Sequence, residues 1–351
     1  MDELKKKYFE ILEPDFPEWL NEYINTEQMQ RLKYVSMTCG KKYTKLFDLK
    51  YDFSTLDHSI SVALIIWHFT KDRKQTLSGL FHDISTPVFK HCVDFLNGDY
   101  MTQESTESLT KSIIANSQDI MKLLKRDGID IDEVCDYHIY PIADNDTPQL
   151  SADRLEYSMS NDLFLFGKSN IEDVRKIYDD IVVGKNESGI AELEFKNIDI
   201  AISFVKMTSR LSVCYRDDET RYSMQFIADI MKKLNEDNMV SKKDLYYMKE
   251  AEIIKIIEDS KYGGIFEIWK NATQILTSSD EPKDVYYVHH GAKIRYIDPL
   301  VRGKRTSEIS DIAQNLINDN LKYDMSKYVY IKDIIWLNLN SEENYEWYKI
   351  Q

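Results

Sequence analysis

The chain has 351 residues, 43% hydrophobic and 30% charged, enough for a packed core and too apolar for disorder. Its net charge of −15 disfavours nucleic acid and anionic membranes as partners, so a phosphorylated ligand requires a local group of cations or a metal. Cys39, Cys92, Cys135 and Cys214 form no C-x-x-C pair, which excludes a disulfide framework or zinc knuckle and fits a reducing compartment. The longest apolar run, Val62 to Trp67, is too short to cross a bilayer. The N-terminus, MDELKKKYFEIL, has no apolar signal core, so a cytoplasmic location is expected.

Eleven glycines and seven prolines in so long a chain favour helices over many short strands. Residues 1–50 carry short helical patterns with aromatic anchors. The pattern predicts a buried helix from His58 to Thr70, a second from Lys74 to His82 and a third from Val88 to Leu96. A long amphipathic helix is expected over 105–125, and another from Asp130 to about His138. Pro148 is read as an early residue of the helix carrying Ala152, Leu155, Met159 and Leu163. Helical patterns continue at 170–183, 198–215, 219–236, 241–259 and 264–276, with a hairpin-like break, VVGKNESGIAELEF, after the first. Beyond DEPKD at 280–284 the text turns to strand-forming residues, then one helix (Ile309 to Asn318) and one strand (Tyr328 to Ile335). The fold class is mainly α: a helical region over 1–279, with its core at about 28–170, followed by a small α+β region over 280–351.

The chemistry is carried by a histidine, a His-Asp doublet and a distant aspartate: His58, His82, Asp83 and Asp153. Two imidazoles with two carboxylates suit a borderline divalent ion with open positions. His58 shares a helix face with Val62 and Ile65 and so points inward. Neighbours on a helix diverge by about 100°, so His82 and Asp83 reach one ion only from a helix end, and ISTP supplies that break. A bland reading competes, because inward histidines are more often satisfied core residues and His-Asp dipeptides arise by chance. No P-loop, HExxH, G-x-S-x-G or GxGxxG motif is present.

This set resembles the H…HD…D signature of the HD-domain metal-dependent phosphohydrolases, and most closely their deoxynucleotide triphosphohydrolase (dGTPase-like) branch. TLDHSISV (55–62) is similar to that branch's RFEHSLGV, HDISTPVFKH (82–91) to HDxGHxPFxH, and DRLEY (153–157) to D-K/R-x-D-Y. Gln30-Arg31-Leu32 matches its QRL, and KIRYIDPLV looks like its tail. The resemblance covers roughly residues 28 to 300. It implies an HD-domain helical bundle, with His58, His82, Asp83 and Asp153 holding one divalent metal ion (Mn, Fe, Ni, Mg or Zn). It implies His91 as a proton donor, Glu104 as a surviving catalytic acid, and Arg154, Tyr157 and Arg31 as substrate contacts. The expected substrate is a small phosphoester such as a nucleotide, and a homo-oligomer is common among such proteins.

The chain departs from the branch at Thr55, where an arginine grips phosphate, at Thr86 for a histidine, at Gln103 for another histidine, and at Met37 or Thr38 for a polar sugar contact. These departures open a second reading, a catalytically altered nucleotide sensor. A third, a di-iron oxygenase, needs extra ligands, for which His91 and His138 are the nearby histidines. Each residue also has a structural reading: His91 packed beside Cys92, Arg154 paired with Glu156 or Asp162, Glu104 complementing a helix dipole, and His68 in packing. His289 and His290, adjacent on an expected strand, would face opposite sides.

Overall fold

Ser54 starts the helix that carries the first histidine. Its hydroxyl accepts from Asp57 N while the Asp57 carboxylate accepts from Ser54 N, so two otherwise orphaned donors are satisfied. The helix Thr55–Thr70 that follows is apolar nearly all round, and Leu56, Ile60 and Val62 to Ile66 are buried. Such a helix is stable only inside other helices. It packs between Glu3–Leu12, Arg73–Phe81 and Ala152–Ser160. Gly79 lets Arg73–Phe81 come close, because a Cβ there would lie 2.2 Å from Ile66 Cδ1.

The computed structural model describes residues 2–101 and 109–335, and the described part is mainly helical. One large core gathers side chains from Tyr8 to Leu211, with Ile297 and Val301. A second core joins Val88 to Leu96 with the helices Asp218–Glu236, Glu250–Asp259 and Gly263–Asn271. The hairpin Ile181–Lys185/Ala191–Phe195 extends into a four-stranded sheet by parallel pairing with Leu300–Val301, which pairs in turn with Lys304–Arg305. A second sheet sets Tyr328–Tyr330 between Leu276–Ser278 and Tyr287–Val288, all antiparallel. Strands from beyond residue 280 thus pair with strands from before it. Buried Arg305 locks this junction: its guanidinium donates to both oxygens of Glu192, at 2.7 and 2.9 Å, and Glu192 Oε1 also accepts from Leu150 N.

Several expected helices are shorter or broken. Only Cys92–Leu96 of the third is helical, because Phe89 (φ 61°) and Lys90 (φ 45°) take left-handed backbone. The expected helix over 105–125 is two, Thr110–Asn116 and Gln118–Asp127, divided where Ser117 caps the second; residues 102–108 lie outside the described part. The Asp130–His138 helix is instead two 3₁₀ turns, Ile131–Glu133 and Tyr137–Ile139. Pro148 lies ahead of its helix, which begins at Ala152 behind an N-cap at Ser151. The 241–259 pattern resolves into Asp244–Tyr247 and Glu250–Asp259. No helix among the described residues is long and apolar enough to cross a membrane.

Candidate metal centre and its cavity

Three helix ends bring the four predicted ligands together. His58 stands in the first turns of Thr55–Thr70. His82 directly follows Arg73–Phe81, and the chain then tightens, with Ile84 N bonded to Phe81 O and Thr86 N to Asp83 O. This turn lets His82 and Asp83 reach one point. Ser151 accepts from Arg154 N and sets Asp153 in the first turn of Ala152–Ser160. His58 Nε2 lies 3.1 Å from His82 Nε2 and 3.1 Å from Asp153 Oδ1. Asp83 Oδ2 lies 3.8 Å from His58 Nε2 and 3.7 Å from His82 Nε2, and Asp153 Oδ1 is 3.7 Å from the latter.

The tautomers follow from the outward bonds. His58 donates from Nδ1 to Glu156 Oε2, and His82 donates from Nδ1 to Gly79 O at 2.7 Å. Both Nε2 lone pairs therefore face each other and two carboxylates. Acceptors so crowded repel unless a cation lies among them. A six-coordinate ion with ligands at about 2.1 Å holds neighbouring donors about 3 Å apart. His58, His82 and Asp83 offer ligand atoms all within 4.8 Å of one another, a grouping that fits a divalent metal; Asp153 lies beside this group, within 3.1 Å of His58 Nε2, but is not one of the three.

The surrounding residues hold the ligands in place. Glu156 is fully buried, accepts from Tyr8 OH at 3.1 Å and Ser160 Oγ at 3.2 Å, and fixes the His58 ring. Asp83 accepts from Thr86 Oγ1 at 2.7 Å and from the buried Lys90 ammonium at 2.6 Å. Burial disfavours charge on His58, yet the Glu156 and Asp153 carboxylates outweigh it and push the imidazole up to about 10. Burial alone would raise Asp83, but Lys90 and the two imidazoles hold it well below the usual carboxylate range. The centre attracts positive charge, a proton or a metal ion in its place.

The centre opens into a cavity of about 480 Å³ whose wall combines residues of both cores. Lys41, Lys90, Arg154, Lys293 and Arg295 line it, as do Tyr137, Tyr157, Tyr215, Phe166 and Tyr296. His91 is on the wall, with Nδ1 bonded to the buried Asp94 carboxylate at 2.8 Å; burial lowers its pKa, and Asp94 offsets part of that. Arg154 pairs with neither Glu156 nor Asp162: it donates to Asn145 Oδ1 at 2.5 Å and lies 3.5 Å from Asp144. Tyr157 packs edge-on against Tyr215 on the same wall.

Arg31 makes a structural contact in the described part. It does not line the cavity but donates to the carbonyls of Thr86, at 2.5 Å, and Ile84, bracing the turn that carries Asp83. Glu104 lies outside the described residues. His138 is exposed at the cavity edge beside Asp136 and Asp144, and His91 and His138 are not in the cluster of described residues that could hold a metal. His68 packs against Phe69 and Tyr178, also facing Glu13, while His289 stacks on Tyr328 and His290 on Tyr100.

Sequence reasoning missed Glu156, Lys41, Lys90, Lys293 and Arg295. Glu156 was signalled by the acidic fourth position of DRLEY, three residues from Asp153 and one face of the same helix. Lys293 and Arg295 were signalled by the alternating bases of KIRY, whose side chains reach the cavity with no regular strand.

No family model matches the chain. It is 22% identical over 284 residues to an uncharacterized protein, YdhJ, of Bacillus subtilis, covering 80% of this chain and 83% of that one. It is 21% identical over 314 residues to the metal-dependent phosphohydrolase cns2 of Cordyceps militaris, covering 88% of each. Its fold is shared with a phosphohydrolase of Bacteroides thetaiotaomicron (TM-score 0.58, 14% identity, 88% of this chain and 94% of that one). It is shared also with a hypothetical protein of Aquifex aeolicus (TM-score 0.54, 16% identity, 90% and 93%). One of these relatives and one of these structures are named phosphohydrolases, the former metal-dependent.

Proposed function

We propose that this chain is a metal-dependent phosphohydrolase of a small phosphoester. The observation that carries it is the pair of imidazole Nε2 atoms 3.1 Å apart, flanked by Asp83 and Asp153 and open to a cavity lined with cations. His58, His82, Asp83 and Asp153 would hold a divalent ion, which supplies polarisation of the phosphate and a bound water acidified toward neutral pH. Lys293, Arg295 and Arg154 favour an anionic group in the cavity against the overall −15 charge. His91, held at Nδ1 by Asp94, would donate a proton to the leaving oxygen from Nε2 in its imidazolium form, which Asp94 favours and burial opposes.

A nucleotide is the phosphoester we favour, supported by the aromatic residues along the wall. The dGTPase-like branch is the finer form of this reading. Thr55 and Thr86 are buried and do not line the cavity, so phosphate is gripped by other residues here.

The test is phosphate or polyphosphate release from a panel of phosphomonoesters and nucleotides with Mn²⁺, Mg²⁺, Ni²⁺, Fe²⁺ or Zn²⁺. Turnover that requires the metal and disappears in Asp153→Asn is expected. Absence of turnover with every substrate and metal sinks the reading; strong thermal stabilisation by a nucleotide in that case points to the sensor.

A further inference from the structure

Among the described residues, one cation on the cavity wall makes neither a hydrogen bond nor an ion pair. Lys41 is 6% exposed and lines the cavity, and among the described residues its ammonium makes no hydrogen bond or ion pair. Its Nζ lies 5.4 Å from the ring centre of Phe47 and 5.9 Å from that of Phe166. Such rings replace part of the lost hydration but leave the N–H donors unused.

Of the carboxylates on that side, Glu250 pairs with Lys42 at 3.6 Å, and Asp217 feels the Lys41 charge without forming an ion pair with it. Glu250 accepts from Ser36 N at 2.9 Å and Tyr43 OH at 3.2 Å, and Asp217 accepts from Thr220 N at 2.8 Å. The backbone is built to place this lysine. Gly40 takes φ 79°, and a Cβ there would lie 2.2 Å from Ile227 Cδ1, so glycine alone lets the turn press on the Asp218–Glu236 helix. A buried ammonium without a partner is costly unless a ligand completes it.

The cavity's charge agrees. Among the described residues, five cations and three carboxylates, Asp83, Asp144 and Asp153, line the cavity.

We propose that Lys41 seats a second anionic group, a carboxylate or a further phosphate, of the same small substrate whose scissile phosphate lies at the metal centre. The substrate class is then a difunctional phosphoester. This assignment rests on the hydrolase reading, but it is tested by binding alone.

Calorimetric titration of the full chain with Mn²⁺ would compare ethylphosphonate, which has one anionic group, with 3-phosphonopropionate and propane-1,3-bisphosphonate, which have two. The wild type is expected to bind at least one difunctional probe roughly tenfold more tightly. In Lys41→Met, which keeps the apolar stem between the rings, that ratio falls to near one; Lys41→Arg retains most of it. No preference in the wild type overturns the proposal, whatever the variants do. Equal weakening of all three probes in Lys41→Met also overturns it, because Lys41 would then serve the phosphonate itself. If the preference and its loss hold while no phosphoester is hydrolysed, the hydrolase reading fails alone and Lys41 remains the anchor of a difunctional ligand.

Discussion

Glu156, wholly buried and 98 residues from His58 in the chain, accepts the hydrogen bond from His58 Nδ1 and so turns Nε2 toward the other ligands. A carboxylate behind a metal-binding imidazole fixes its tautomer and raises its basicity.

Glu156→Gln is expected to weaken metal binding by about 10–100-fold. The amide can still accept from His58 but withdraws the charge. Competition with a fluorescent chelator measures this, and circular dichroism checks the fold. An unchanged metal affinity would show that Glu156 is a packing residue.

His91→Ala is expected to lower kcat by about 10²–10⁴-fold for an alkyl phosphoester. The loss should shrink for p-nitrophenyl phosphate, whose leaving group needs no proton. Equal losses on both substrates would assign His91 to binding rather than proton transfer.

Much of the site was legible because metal ligands are restricted in type and placed by helix ends. His58, His82, Asp83 and Asp153 were pointed to by their side chains, the break at ISTP and the family resemblance together, and in the structure His82 and Asp153 each come within 3.1 Å of His58 while Asp83 lies 3.7 Å from His82. The cations were not legible. Lys41, Lys90, Lys293 and Arg295 come from turns and irregular segments, and a lysine in a turn looks like any solvated surface residue until its backbone conformation is known. Helix ends misread for a related reason. The apolar spacing of Phe89, Cys92, Val93 and Leu96 is helical, yet Phe89 and Lys90 leave the helix and Lys90 turns back to Asp83. Burial satisfies the same spacing without a helix.

Arg305→Met is expected to destabilise the fold by about 3–5 kcal/mol, because it leaves the Glu192 carboxylate buried without its cation. Urea unfolding measures this. A loss under about 1 kcal/mol would mean that the junction between the hairpin and the C-terminal strands is not held by this pair.

Asp229 gives a pH signature away from the centre. Burial pushes its carboxyl up to about 6, despite bonds from Tyr286 OH at 2.6 Å and Gln225 Nε2 at 3.0 Å. The folded state therefore holds a proton that the unfolded chain, with an ordinary carboxyl near 3.9, has released. That stability is present in full below about pH 4 and is lost as pH rises through about 6. Asp229→Asn should then gain on the wild type by on the order of 2 kcal/mol between pH 4 and pH 7.5. Parallel stability curves for the two proteins across that range would refute the assignment.

The metal centre itself is tested most directly by anomalous scattering from crystals soaked in Mn²⁺. A single ion within about 2.0–2.3 Å of His58 Nε2, His82 Nε2 and oxygens of Asp83 and Asp153 is the expected result. An ion held by other residues, or no ion at these four side chains at millimolar Mn²⁺, would contradict it.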